Sequence, residues 1–173
     1  MADARRLPTV SMQLAGPAAR PKRHPYHALV APLLAVGEYP TPDDAAWLRH
    51  GLDVRVVVSL QDDVDLQRKG LCAASLAQAL ASHDIVWHRH PVGDGDLVAM
   101  DGALDPVVRR LGHHIAAGER VYLHCNAGFN RAPTVAIAYL HRYAGLPLDA
   151  ACATVKSVRP CVPYMQLLRS RRT

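Results

Sequence analysis

Short apolar runs alternate with stretches of helical spacing along most of the chain. Residues 29–36 (LVAPLLAV) predict a strand, and 37–40 a turn. Thr41-Pro42-Asp43-Asp44 predicts a helix start, with Thr41 as N-cap, Pro42 at the first position and acids in the first turn. Gly51 closes that helix. The run 54–60 (VRVVVSL) is rich in β-branched residues and predicts a buried strand. The polar stretch 61–70 reads as a loop. Residues 71–82 carry helical spacing at Leu71, Ser75, Leu76, Ala79 and Leu80. Residues 85–92 predict a third strand, followed by a flexible acidic loop, Gly93-Asp94-Gly95-Asp96. Asp101 is placed to cap a helix that ends at Gly118. Residues 121–124 predict a short strand, and 132–144 a helix closed by Gly145. Two further helices fit 148–158 and 164–172, divided by Pro160 and Pro163. Strands alternating with helices predict an α/β fold. The expected architecture is a single domain with a twisted, mostly parallel sheet of about four to five strands, flanked by helices on both faces.

Length and charge narrow the functional classes. At 173 residues the chain suits one domain with a core that needs no disulfide or metal. A charged fraction of 20% is too low for a disordered polyelectrolyte. No apolar run approaches the ~20 residues of a membrane span. The net charge of +5 is concentrated at the ends: residues 1–25 carry +4, residues 156–173 carry +5, and the stretch between carries −4. A nucleic-acid domain would show its basic stripe on the folded face, so no nucleic-acid partner is expected. We expect residues 1–25 to be a basic, flexible tail and 26–173 to be the working domain, with the basic ends solvated. The first 25 residues lack the apolar core of a signal peptide. They share an Arg- and Ala-rich composition with transit peptides, but Pro8 and Pro17 interrupt any amphipathic helix there. Cys72, Cys125, Cys152 and Cys161 form neither a CxxC pair nor a secreted framework, which points to a reducing cytoplasm.

The chemistry concentrates in 121–140 (VYLHCNAGFNRAPTVAIAYL). Cys125 falls at the carboxyl end of a predicted strand and Arg131 at the start of a predicted helix, with Gly128 between them. A tight strand-to-helix loop can turn its backbone N–H groups inward as a nest for a tetrahedral dianion, and the helix start adds positive field. An Arg guanidinium binds two phosphate oxygens as a fork, which Lys cannot imitate. The same field favours a cysteine thiolate, an in-line nucleophile beneath a bound phosphoryl group.

The segment resembles the active-site loop HCxxGxxR of cysteine-dependent phosphatases, specifically the dual-specificity branch. The resemblance spans most of 30–168, including the GEYP opening and the late VRPCVP segment. It implies that Cys125 is the nucleophile and Arg131 the phosphate-binding arginine. The loop Asn126, Ala127, Gly128, Phe129, Asn130 and Arg131 would wrap the phosphate. The resemblance gives His124 the role of ordering the loop and helping to set the thiolate; the residues themselves leave a structural role equally open. It also implies a general acid on a mobile loop about thirty residues upstream. Asp94 fits best, following Pro91-Val92 and flanked by Gly93 and Gly95, with Asp96 as the alternative. Cys72 is a possible resolving partner for Cys125. No cofactor or metal is implied.

One departure concerns turnover. The family usually has Ser or Thr after the arginine, where this chain has Ala132, and Thr134 should point elsewhere along the helix. CNAGFNRAP and SLQDDVDLQRKG are also similar to plant-type glucan phosphatases, although Asn130 replaces their second glycine. Asn126, Ala127, Phe129 and Asn130 are expected to line a pocket without basic side chains, which disfavours inositol polyphosphates. Phe129, the sole Phe of the sequence, could stack at the mouth or pack under the loop. Cys152 is expected in the core and Cys161 near the surface. The expected activity is two-step phosphomonoester hydrolysis on phosphotyrosine, phosphoserine or phosphothreonine proteins, with phosphoglucan as the alternative substrate. A phospho-binding module with weak turnover, and a rhodanese-type sulfur transferase, are the competing functions.

Overall fold

The structure, a computed structural model, describes residues 23–171. Five strands form one sheet in the order β1-β2-β5-β3-β4. They are β1 (His27–Ala31), β2 (Leu34–Gly37), β3 (Val54–Ser59), β4 (Val86–Arg89) and β5 (Arg120–His124). Only the β1/β2 pair is antiparallel; β2/β5, β5/β3 and β3/β4 are parallel. The helices are α1 (Ala45–His50), α2 (Asp63–Arg68), α3 (Ala73–Ala81), α4 (Leu97–Ala116), α5 (Arg131–Tyr143), α6 (Leu148–Val158) and α7 (Met165–Ser170). Among the described residues no helix is long and apolar enough to cross a membrane.

Strand alternation divides the interior into two cores. Leu34 and Val36, Val56 and Val58, and Val121 and Leu123 face one side. There they meet Met100, Leu104, Val108 and Leu111 of α4, Val135, Ile137 and Leu140 of α5, and Val155 of α6. Ala35, Val57 and Tyr122 face the other side, against Leu48 of α1 and Leu76 and Leu80 of α3. The expected sheet with helices on both faces is what forms. β5 lies at its centre with residues 121–124 buried, so whatever follows His124 starts from the most constrained strand.

Several expected elements differ. The run 29–36 is two strands rather than one. Pro32, which lacks an N–H, sits in the turn between them, and both halves stay apolar because β2 is buried while β1 forms the sheet edge. The loop expected at 61–70 contains α2. Asp62 caps it by accepting from the Asp65 N–H at 2.7 Å, and Asp65 reaches back to the Asp62 N–H. The third strand is shorter than expected, at Val86–Arg89. α4 starts four residues before the expected cap at Asp101. Asp96 caps it instead, accepting from the Ala99 N–H at 2.9 Å, and Pro106 is accommodated inside the helix. Cys161, expected near the surface, is buried in the α4/α5/α6 core, and burial pushes its thiol pKa up. Cys152 packs partly buried against the same core.

The C-terminal basic residues are not simply solvated. Arg159 is buried, Arg169 pairs with Asp149 at 2.8 Å, and Arg171 pairs with Asp105 at 2.8 Å. At the other end, residues 1–22 of the expected tail lie outside the described residues. Residues 23–25 join the fold: Arg23 pairs with Glu38, and His24 stacks on Trp47 with ring centroids 4.4 Å apart.

Gly37 ends β2 against the fully buried Tyr122, whose hydroxyl donates to the Glu38 carbonyl at 2.9 Å. A Cβ at Gly37 would collide with that hydroxyl. Gly37→Ala is therefore expected to destabilise the domain by about 1–3 kcal/mol in urea unfolding, as overpacked cores do; an unchanged midpoint would contradict this packing.

Candidate active site

β5 ends at His124 and α5 begins at Arg131, so residues 125–130 carry the chain from sheet centre to helix. Their backbone is held from outside. The Cys125 carbonyl accepts from His124 Nδ1 at 3.1 Å, and the Asn126 carbonyl from the Tyr39 N–H at 3.1 Å. Arg159 donates from Nη2 to the Ala127 carbonyl and from Nε, at 2.7 Å, to the Gly128 carbonyl. The Phe129 carbonyl accepts from the Val162 N–H at 2.9 Å. The Asn130 carbonyl accepts from the Thr134 N–H at 3.1 Å and its hydroxyl at 2.7 Å. All described peptide bonds are trans, so each N–H points opposite to the carbonyl of the residue before it. Six carbonyls drawn outward turn the N–H groups of 126–131 toward the concave side of the loop. Among the described residues those N–H groups donate to no acceptor. The result is an anion nest at the N-terminus of a 13-residue helix.

Gly128 is required twice over. Its φ is +61°, and a Cβ there would lie 2.5 Å from Arg159 Nη2 and from the Gly37 carbonyl oxygen. Arg159 reaches the loop from the end of α6. Its Nη1 also donates to the Tyr26 carbonyl at 3.1 Å, and its guanidinium lies over the Tyr26 ring, 4.8 Å from the centroid.

Arg131 is 1% exposed. Its Nη1 donates to Asp65 Oδ2 at 2.6 Å and to the Val92 carbonyl at 2.7 Å, with the Leu60 carbonyl at 3.4 Å. Nε makes no hydrogen bond, and Asp94 Oδ1 lies 3.4 Å from it. One corner of the guanidinium is thus anchored while Nε stays available. Asp65 also accepts from Asn126 Nδ2, and Asn126 Oδ1 accepts from Gln61 Nε2 at 2.7 Å. Burial raises the Asp65 pKa, but the bonds from Arg131 and Asn126 outweigh it, and the net shift is downward. Burial likewise opposes the Arg131 charge, yet Asp65 and the neighbouring Cys125 and Asp94 hold its pKa above the usual value.

His124 is fully buried. Because a carbonyl can only accept, its Nδ1 carries the proton donated to the Cys125 carbonyl. Burial, with Arg131 nearby, lowers its pKa to about 4, so the ring is neutral near pH 7. Asp94 projects toward Arg131 with 60% of its side chain exposed, whereas the Asp96 carboxylate is committed to capping α4. Ala132 is buried without a hydroxyl, and Thr134 points away from the loop's concave side as expected. Its hydroxyl donates to the Asn130 carbonyl and accepts from the Tyr164 N–H at 2.8 Å.

The pocket lining differs from expectation. The Asn126 side chain turns back to Asp65 and Gln61, and Asn130 Nδ2 donates to the Val162 carbonyl at 2.7 Å, so both amides brace the loop. Phe129 is 41% exposed rather than packed beneath the loop. Cys72 is free and exposed at the start of α3, while Cys125 is free and buried in the opposite core. Among the described residues no three His, Cys, Asp or Glu side chains gather as metal ligands would.

Comparison with known proteins places these features in context. The dual specificity phosphatase catalytic domain model matches residues 48–170. The phosphoglucan phosphatase DSP4, amyloplastic, of Castanea sativa is 31% identical over 144 residues, 82% of this chain and 38% of its own length. The phosphatidylglycerophosphate phosphatase PTPMT1 of Arabidopsis thaliana is 28% identical over 134 residues, 77% of this chain and 37% of its own. This chain thus spans well under half the length of either curated relative. The crystal structure of human DUSP28 matches with a TM-score of 0.61 at 25% identity, covering 85% of this chain and 95% of that one.

Breaking the Arg131–Asp65 pair should leave a buried charge uncompensated. Asp65→Asn is expected to lower stability at pH 7 by about 3–5 kcal/mol in urea unfolding. The folded-state pKa of Asp65 is depressed, so the parent's advantage is fully present above the unfolded value near 4 and declines as pH falls below it. A difference that stayed constant down to pH 3 would contradict the pairing.

Proposed function

The chain belongs to the dual specificity phosphatase family and is a cysteine-based phosphatase; on that footing we propose that it hydrolyses phosphomonoesters through a phosphocysteine formed at Cys125. The observation that carries this reading is the set of six outward-held carbonyls. They leave the N–H groups of 126–131 turned into one concavity beside a buried Arg131. Such a nest suits the three equatorial oxygens of a phosphoryl group in transfer.

In the first step Cys125 Sγ attacks phosphorus and the S–P bond forms as the P–O bond to the leaving group breaks. Asp94 donates a proton to the departing oxygen. Arg131, anchored through Nη1, offers Nε and the remaining arm of its guanidinium to two phosphoryl oxygens. In the second step the Asp94 carboxylate takes a proton from water, whose oxygen bonds to phosphorus as the S–P bond breaks. Inorganic phosphate leaves and the thiolate returns. With Ala132 supplying no hydroxyl to the departing thiolate, this second step is the slower one.

For the substrate, the phosphoglucan reading is supported by DSP4, whose similarity extends over 82% of this chain. A phosphoprotein reading rests on the family description. Phe129, exposed on the phosphate loop, offers a flat apolar surface to a sugar face or a phenyl ring in either case.

We expect Cys125→Ser to abolish turnover of a small aryl phosphate. Asp94→Asn should lower kcat by about 10²–10⁴-fold. A sulfur transferase would keep its activity without Asp94, and a phospho-binding module would bind phosphoester tightly with no turnover in the parent. Parallel rates on solubilised phosphoglucan, phosphotyrosine peptide and phosphothreonine peptide rank the substrate classes.

A further inference from the structure

Arg159 is a buried cation, and among the described residues no carboxylate pairs with it. Its partners are the carbonyls of Tyr26, Ala127 and Gly128 and one aromatic face, that of Tyr26. A buried charge held by carbonyl dipoles alone is costly, so the aromatic face matters. The Tyr26 ring covers one side of the guanidinium, 4.8 Å from its carbon. Tyr26 is in turn fixed at its backbone. Its N–H donates to Glu38 Oε2 at 3.0 Å, and its carbonyl accepts from the Glu38 N–H at 3.0 Å as well as from Arg159 Nη1 at 3.1 Å. The Tyr26 hydroxyl makes no hydrogen bond among the described residues. The ring face and the carbonyl are therefore what this residue offers Arg159.

We propose that Tyr26 and Arg159 are a pair of positioning residues for the phosphate loop, Tyr26 acting only through Arg159. This rests on the reading of residues 125–131 as the phosphate nest. Across a trans peptide the Ala127 carbonyl sets the direction of the Gly128 N–H, and the Gly128 carbonyl that of the Phe129 N–H. By holding both carbonyls, one guanidinium aims two adjacent donors of the nest. The Tyr26 ring and carbonyl hold that guanidinium in place. The segment before β1 thus belongs to the catalytic unit, although neither side chain touches the reacting atoms.

The test reads two quantities at 25 °C: kcat/KM on phenyl phosphate, and the inhibition constant of tungstate, a tetrahedral dianion that reports on the nest itself. Arg159→Met keeps an apolar stem and removes the donors. It is expected to lower kcat/KM about 10²-fold, as loss of an oxyanion donor does, and to weaken tungstate at least about tenfold. Tyr26→Leu keeps bulk without an aromatic face and should cost about two- to fivefold in both quantities. Tyr26→Phe restores the face and should recover both. In an Arg159→Met background Tyr26→Leu should add no further loss, as a double-mutant cycle for one shared function requires. Unchanged tungstate inhibition in Tyr26→Leu, equal losses in Tyr26→Leu and Tyr26→Phe, or a full additional loss in the Arg159→Met background would overturn the pairing. If Arg159→Met does not fold, the contrast between Tyr26→Leu and Tyr26→Phe decides alone. Cys125→Ser is run alongside. If it is inactive while the Tyr26 variants fail these expectations, only the positioning pair falls. If it retains turnover, the hydrolytic reading falls and the pair with it.

Discussion

Everything about this site depends on forcing six consecutive peptide planes to face their oxygens outward. Left in water, a loop of this length would satisfy its carbonyls and amides alike by hydration. Here each carbonyl from Cys125 to Asn130 has a protein donor, and the donors come from five places in the chain: His124, Tyr39, Arg159, Val162 and Thr134. The β1/β2 hairpin delivers Tyr39, the end of α6 delivers Arg159, and the turn after it delivers Val162. The fold is the device that brings these donors to one loop at the end of the central strand. Arg159 contributes most, because a single guanidinium fixes two adjacent carbonyls and crowds Gly128 into the left-handed region.

Concentrating inward N–H groups, a helix start and a buried guanidinium creates positive potential that needs a counterweight when no anion is bound. Asp65 supplies it from behind. It takes one corner of Arg131 and, through Asn126, reaches the phosphate loop itself. The neutral His124 ring adds no charge to this balance and works as a wedge beneath the Cys125 peptide. Asp94 approaches Nε of the same guanidinium at 3.4 Å, with most of its side chain exposed. Two acids thus flank Arg131: the buried Asp65, which fixes its geometry, and the exposed Asp94, the proton donor of the proposed mechanism.

The strand leading into Cys125, the helix that opens by Arg131 and the acidic loop holding Asp94 were all legible in the chain, because strong local signals mark them. Dense β-branched runs, a glycine in the loop and a helix-forming tail survive any tertiary context. The supporting residues were legible only in part. Asp62 and Asp65 carry a capping-box spacing that marks α2, but the stretch is polar and shows no apolar stripe, so it passes for a loop. Asp101 is a credible cap in sequence, but α4 starts earlier, capped by Asp96 and burying Met100 in its first turn. Arg159 lies 31 residues from Gly128 among other basic residues, and nothing local separates a buried brace from a solvated charge. Asn126 and Asn130 stand where pocket-lining residues would, and only the folded neighbours show that they face backward.

The central claim is that the nest holds a phosphoryl group for transfer to Cys125, and the most direct measurement is to catch that bond. The Asp94→Asn variant, mixed briefly with 2,4-dinitrophenyl phosphate, quenched in acid and digested, should yield a phosphorylated peptide whose modification maps to Cys125. A phosphoryl group on any other residue, or none on a variant that still releases dinitrophenol, would contradict the account.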